Sequence, residues 1–258
     1  MDIFNFNYAD FLSFLLTLMR VSIVVFLLPF FGGRALPNLV KAALCIVLTL
    51  GLWPNLSFDP SYFPSHPFGI SLMIFGELIL GLILSLIIRC IFAATETAGQ
   101  IIGFQMGFAM MNVVDPLSGT SIELTSQFTY MITLLLFLSL NGHLYLLAGF
   151  AKSFELVPPG SILVNPRVFD SIVYFSSQIF VVAIKIAAPV MVAELLVSCS
   201  LGIVARLAPQ INVLFVGFPV KIAVGFFFLG IMFNLLGYFL RDIILNLDQI
   251  LGSVMING

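Results

Sequence analysis

The chain has 258 residues, of which 61% are hydrophobic and 9% charged, with a formal net charge of −2 and a mean hydropathy of +1.18. Soluble domains carry roughly 25% charged residues, and here the 28 Phe outnumber the 10 basic and 12 acidic residues combined. These numbers exclude a water-soluble globular domain and leave an all-α, polytopic membrane protein; the near-neutral charge points to no particular partner, and no nucleic acid is expected.

A spanning helix needs about 20 mostly apolar residues. In chain order the candidate runs are 11–31, 38–53, 68–95, 126–151, 171–204 and 211–240. The N-terminus carries Asp2 and Asp10 and no basic segment before the first run, so that run is expected to stay as a helix and not as a cleaved signal. The motif "PFFGGRALP" (29–37) ends one helix and opens the next, with Pro37 suited to a first helical turn. Four prolines in "PNLSFDPSYFPSHP" (54–67) predict an irregular loop. "VPPGS" (157–161) opens another loop, and "APQIN" (208–212) folds the fifth and sixth runs into a hairpin. Gly217 and Pro219 in "VGFPVK" (216–221) are expected to kink or unwind the last run. Cys45, Cys90 and Cys199 lie inside apolar runs and read as buried thiols. Four basic residues (Arg34, Lys41, Arg89, Arg206) against three (Lys152, Arg167, Arg241) favour an N-terminus outside the cytoplasm.

Arg20, Glu77, Arg89, Lys185, Glu194 and Lys221 fall within or at the ends of would-be spans. Each would cost about 2.5–3.5 kcal/mol at the centre of a lipid-facing helix, so these helices are expected to bury their charges against protein or water. Glu77 and Arg89 are 12 positions apart, about 18 Å along a helix, too far to pair. Two readings stay open for the set: interhelical salt bridges, or a proton relay as in a secondary transporter. No catalytic constellation is visible: neither His66 nor His143 has a Cys or carboxylate at metal-ligand or triad spacing, and no GxxxxGK[ST] phosphate loop occurs. No cofactor and no metal are expected.

Residues 95–107 read TETAGQIIGFQMG, with Thr95, Gly99, Gly103 and Gly107 recurring every fourth position. Small residues at that spacing let two helix backbones approach closely; the alternative is that the glycines belong to a flexible loop. Past Gly107, Asn112, Asp115 and Pro116 are turn signals, so "GFQMGFAMMNVVDP" (103–116) reads as an uncapped break in the apolar run. Non-helical backbone at membrane depth survives only when buried in protein or lining a cavity. Met106, Gly107, Phe108, Ala109, Met110, Met111, Asn112, Val113, Val114, Asp115 and Pro116 therefore form either a plug or a loop that closes a bundle.

Five blocks, "GGRALPNLVK" (32–41), "GELILGL" (76–82), "TAGQIIGFQMGFAMMNVVDP" (97–116), "FLSLNGHLYLL" (137–147) and "GIVARLAPQINVLFVGFPVKI" (202–222), follow one another in an order and spacing that resemble the FliR/SctT family of type III secretion export-gate membrane proteins. The resemblance implies a single family domain over 1–258, with a FliP-like part at 1–170 that includes a plug loop at 106–121. A FliQ-like C-terminal hairpin and tail would occupy 171–258, its turn carried by Arg206, Pro209, Gln210, Asn212, Pro219 and Lys221. It further implies helical hairpins built with FliP and FliQ into a helical gate, wrapped by FlhB and next to FlhA. The gate would contact the rod base protein and membrane lipids and would pass unfolded rod, hook and filament proteins across the bacterial inner membrane at the flagellar basal body. Export would be powered by the proton-motive force and a separate ATPase. Competing readings are a virulence SctT paralogue, a stand-alone proton-coupled transporter using Glu77, Arg89, Lys185 and Glu194, and an assembly factor.

Overall fold

In the computed structural model, the described residues are 8–29, 37–56, 63, 64, 66–108, 123–158, 166–210 and 212–247. Among them every regular element is helical: α1 (Tyr8–Leu27), α2 (Asn38–Leu52) with a short 3-10 turn (Trp53–Asn55), α3 (Pro67–Gln105), α4 (Glu123–Ser139), α5 (Gly142–Leu156), α6 (Pro166–Leu207) and α7 (Val213–Leu245). Helices α1, α3, α6 and α7 are each long and apolar enough to cross a membrane, and α4 with α5 makes one further, bent candidate. The chain is a multi-pass membrane protein.

Three expectations about these helices are corrected. The run at 126–151 is not one continuous helix: it breaks at Leu140 and Asn141, and the pair of helices bends by 71°. Asn141 takes the left-handed conformation at φ 57°, which Asn tolerates better than most residues. Gly142 then packs so tightly that a Cβ would stand 2.5 Å from the Phe137 ring. The run at 68–95 instead continues ten residues further, through the polar "TETAGQ", to Gln105. Of the kink or unwinding expected in the last run, the unwinding does not occur: Pro219 lies inside a continuous α7. Proline in a spanning helix is tolerated where neighbours and local adjustment satisfy the freed carbonyl, and Gly217 is seated against Leu201 of α6. Cys45 and Cys90 are buried, whereas Cys199 is exposed.

The chain divides into two compact units. Unit 1 comprises 1–90, 143–175 and 245–258, and unit 2 comprises 91–142 and 176–244. In unit 1, α1 lies along α2, and Leu12, Leu16 and Met73 form a core with Phe63, Ile70 and Ile74 against it. Trp53 meets the Phe14 ring edge-on at 5.9 Å and donates its indole N–H to Ser13 Oγ at 2.8 Å. Gly81 lets α3 close on α1, where a Cβ would stand 3.1 Å from Ile23 and 3.2 Å from the Arg20 carbonyl. Unit 2 packs the C-terminal part of α3 with α4, α6 and α7 around Ile102, Met106, Ala187, Val190, Met232 and Leu236.

Candidate functional site

The C-terminal end of α3 determines how the chain enters the candidate plug. Gly99 is buried, and a Cβ there would stand 2.7 Å from Ser126 Cα and 2.9 Å from the Thr125 carbonyl. The α4 backbone therefore runs directly over the α3 backbone at this point. The α4 side of the contact is a strip of hydroxyls at four-residue spacing: Thr125, Thr129 and Thr133, all buried. Thr129 and Thr133 each donate to the carbonyl four residues earlier at 2.8 Å. That strip was missed in the sequence, although "ELTSQFTYMIT" (123–133) shows its period opposite the glycines. Gly103 is buried one turn beyond Gly99.

Gly107 has a different role from Gly99. It lies past the end of α3 at φ 87°; its N–H donates to the Phe104 carbonyl at 3.1 Å, and the Phe108 N–H donates to the Gly103 carbonyl at 3.1 Å. That pair of bonds is a Schellman cap, which satisfies two helix-end carbonyls and requires a left-handed residue. The stretch read as uncapped is thus capped at its entry, and Gly107 terminates the helix instead of extending the glycine ridge. Two α7 residues hold this end: Met106 is wholly buried and fills a notch at Gly225, where a Cβ would be 2.5 Å from Met106 Cγ, and Phe218 stands 3.3 Å from a Cβ built on Gly107. Phe108 is half-buried against the unit 2 core. Ala109, Met110, Met111, Asn112, Val113, Val114, Asp115 and Pro116 lie outside the described residues.

The six charges separate into three environments. Arg20 and Glu77 are fully buried and form a forked ion pair, Nε to Oε2 at 2.5 Å and a terminal nitrogen to Oε1 at 3.1 Å. The same guanidinium donates to the Ser153 carbonyl at 3.2 Å and the Val157 carbonyl at 3.0 Å, and lies 4.3 Å from the centre of the Phe154 ring. One side chain of α1 therefore clamps α3 and also closes the C-terminal turn of α5. Glu194 is fully buried in unit 2. Lys221 is half-buried, and Arg89 and Lys185, expected to be buried, are exposed on the chain. Both project from helix faces that no described element covers.

At the turn between α6 and α7, Arg206 is exposed in the last turn of α6 and Pro209 and Gln210 form the bend. Asn212 starts α7, its carbonyl accepting from the Phe215 N–H at 3.0 Å and the Val216 N–H at 3.3 Å. Gly217 against Leu201 holds the two arms of this hairpin together. Pro219 is exposed on the same arm.

The profile of the family described as "Bacterial export proteins, family 1" matches residues 11–247. The flagellar biosynthetic protein FliR of Bacillus subtilis strain 168 is 35% identical over 241 residues, 90% of each chain. That of Escherichia coli K12 is 29% identical over 238 residues, covering 92% of this chain and 90% of the other. The FliR of Aquifex aeolicus is 30% identical over 219 residues, 83% of this chain and 82% of its own.

Proposed function

The chain belongs to family 1 of the bacterial export proteins, and from that premise we propose that it is a core subunit of the flagellar type III export gate. In this reading it assembles with FliP and FliQ, next to FlhB, FlhA and the rod base protein, into the inner-membrane channel of the basal body. Unfolded rod, hook and filament proteins cross through it. The observation that carries the proposal is likeness over residues 11–247 to relatives that bear flagellar names. Those names also favour the flagellar role over the virulence one. No catalytic step is proposed for it. The part at 1–170 would stand where a FliP subunit stands, and 171–258 where a FliQ hairpin stands. The loop from Met106 to residue 121 would close the channel: a rigid, capped helix end held by Met106, Gly225 and Phe218 is a fixed point from which a loop can be swung aside. Met110 and Met111 supply unbranched, soft side chains suited to reversible filling of an opening.

The test has two arms in cells whose only copy is a tagged form of this chain. FliP, FliQ and FlhB should co-isolate with it from detergent-solubilised membranes, and motility should depend on it. Isolation of a stable, solitary chain from cells that still export hook protein would overturn the gate assignment. For the loop, deletion of 108–114 should leave the complex assembled and raise the leak of small ions. A deletion complex as tight as the native one would refute the plug while leaving the subunit assignment standing.

A further inference from the structure

Glu194 is a second buried carboxylate, and its surroundings are the opposite of those of Glu77. It is fully covered by this chain, and neither oxygen has a hydrogen-bond partner among the described residues. Its neighbours along the inward face of α6, Ala187, Val190 and Ala193, are buried and apolar. The described ion pair of the protein joins Arg20 to Glu77 and does not involve it. Among the charged groups of unit 2, Lys221 of α7 is the one whose charge acts on Glu194, and it is half-exposed and makes no described ion pair with it. The others whose side chains are described are exposed: Glu96 on α3, Lys185 and Arg206 on α6, Arg241 and Asp242 on α7. Between Leu124 and Ser139, α4 carries no charged residue.

An ionised carboxylate without a partner in an apolar interior neutralises by taking a proton, because losing hydration penalises the charged form more than protonation does. Ionisable groups inside membrane spans are functional sites by default. The side chain is already covered within this chain, which leaves a neighbouring subunit no exposed part of it to pair with. We infer that Glu194 is a proton-binding site, holding one proton drawn from water as its neutral acid in the assembled membrane protein. Glu77, by contrast, is forked onto Arg20 as a structural pair. Of the two buried carboxyls described, Glu77 is held in a pair and Glu194 is able to gain or lose a proton.

Infrared difference spectroscopy on the full-length chain in its membrane complex, at neutral pH, distinguishes these states directly. Wild type minus Glu194→Gln should show the carbonyl band of one un-ionised carboxyl per chain. Glu194→Asp should keep the un-ionised band at a shifted position, and it carries the measurement if the Gln variant does not accumulate. Lys221→Met should leave the band in place. A carboxylate band in the Glu194 difference spectrum, or an un-ionised band that arises only after Lys221→Met, would overturn the inference and make Glu194 an ionised partner of Lys221.

Discussion

Arg20 and Glu77 stand 57 residues apart in sequence, yet Arg20 satisfies the Glu77 carboxylate and two carbonyls at the end of α5 at once. A buried pair of this kind contributes little net stability against a well-packed apolar pair, but removing one partner strands a charge and costs about 3–5 kcal/mol. Arg20 is the more sensitive to substitution, because its loss also leaves the Val157 carbonyl without this donor and the Ser153 carbonyl with the Val157 N–H alone. Arg20→Met and Glu77→Gln should both lower the amount of chain in membranes, with Arg20→Met the worse of the two. Arg20→Lys should not rescue, since an ammonium cannot reproduce the forked geometry. The measurement is steady-state abundance by immunoblot beside a co-expressed partner. Wild-type levels of Arg20→Met would show that α5 is held by its apolar contacts and that the clamp is dispensable. Glu194→Gln, replacing a neutral acid by a neutral amide, should by contrast leave abundance close to wild type.

The contact of α3 with α4 is a backbone-to-backbone approach set by Gly99, and it gives a local prediction. Any side chain at that position must displace Ser126 Cα or the Thr125 carbonyl, which are main-chain atoms and cannot swing away. Gly99→Leu should therefore separate the helices and abolish recovery of the assembled complex, and Gly99→Ala should reduce it. Gly51, which has open space around it, should accept Ala without loss in the same assay. Equal recovery of Gly99→Leu and Gly51→Ala would show that α4 can be shifted freely. How much of this was legible follows from what a sequence period can carry. The glycine spacing and the apolar runs report on single helices, so the spans and the Gly99 contact could be read before any coordinates. The α3 extension was hidden because Thr, Glu and Gln do not break a helix even where they interrupt an apolar run. The bend at Asn141 was signalled by Asn-Gly but outweighed by the hydrophobic residues on both sides. The partner of Arg20 was illegible, because the position of a charge says nothing about which distant segment folds against it. The family came from the ordered blocks, which composition and periodicity could not have supplied.

Across the whole molecule, charge and apolar surface together indicate which faces are unfinished. Large apolar side chains stand exposed along α6 and α7, among them Leu195, Leu196, Phe226, Phe227 and Tyr238, and lipid alone could cover them. Lys185 cannot be treated that way. It is exposed on α6, 13 residues inside a candidate span that begins at Ile172, or about 20 Å along the axis. That depth is beyond what a lysine stem can bridge to reach the headgroups. A lipid-facing ammonium there would cost about 2.5–3.5 kcal/mol, whereas a neighbouring subunit offering a carboxylate would remove that cost. Arg89 presents the same problem on α3. These two faces are expected to be subunit contacts, and the apolar surface around them the ground on which the contacts are built. Lys185→Met then has opposite consequences in the two environments. If the face meets lipid, removing the charge should stabilise the chain and raise its abundance when it is expressed alone. If the face meets a charged neighbour, Lys185→Met should leave the solitary chain no worse but lower the yield of complex, because the neighbour's carboxylate is then stranded. Lys185→Glu should lower that yield further by placing like charges together. Blue native electrophoresis of the chain with and without its partners separates the outcomes. Higher complex yield from Lys185→Met would mean that lipid, not protein, covers this face of α6.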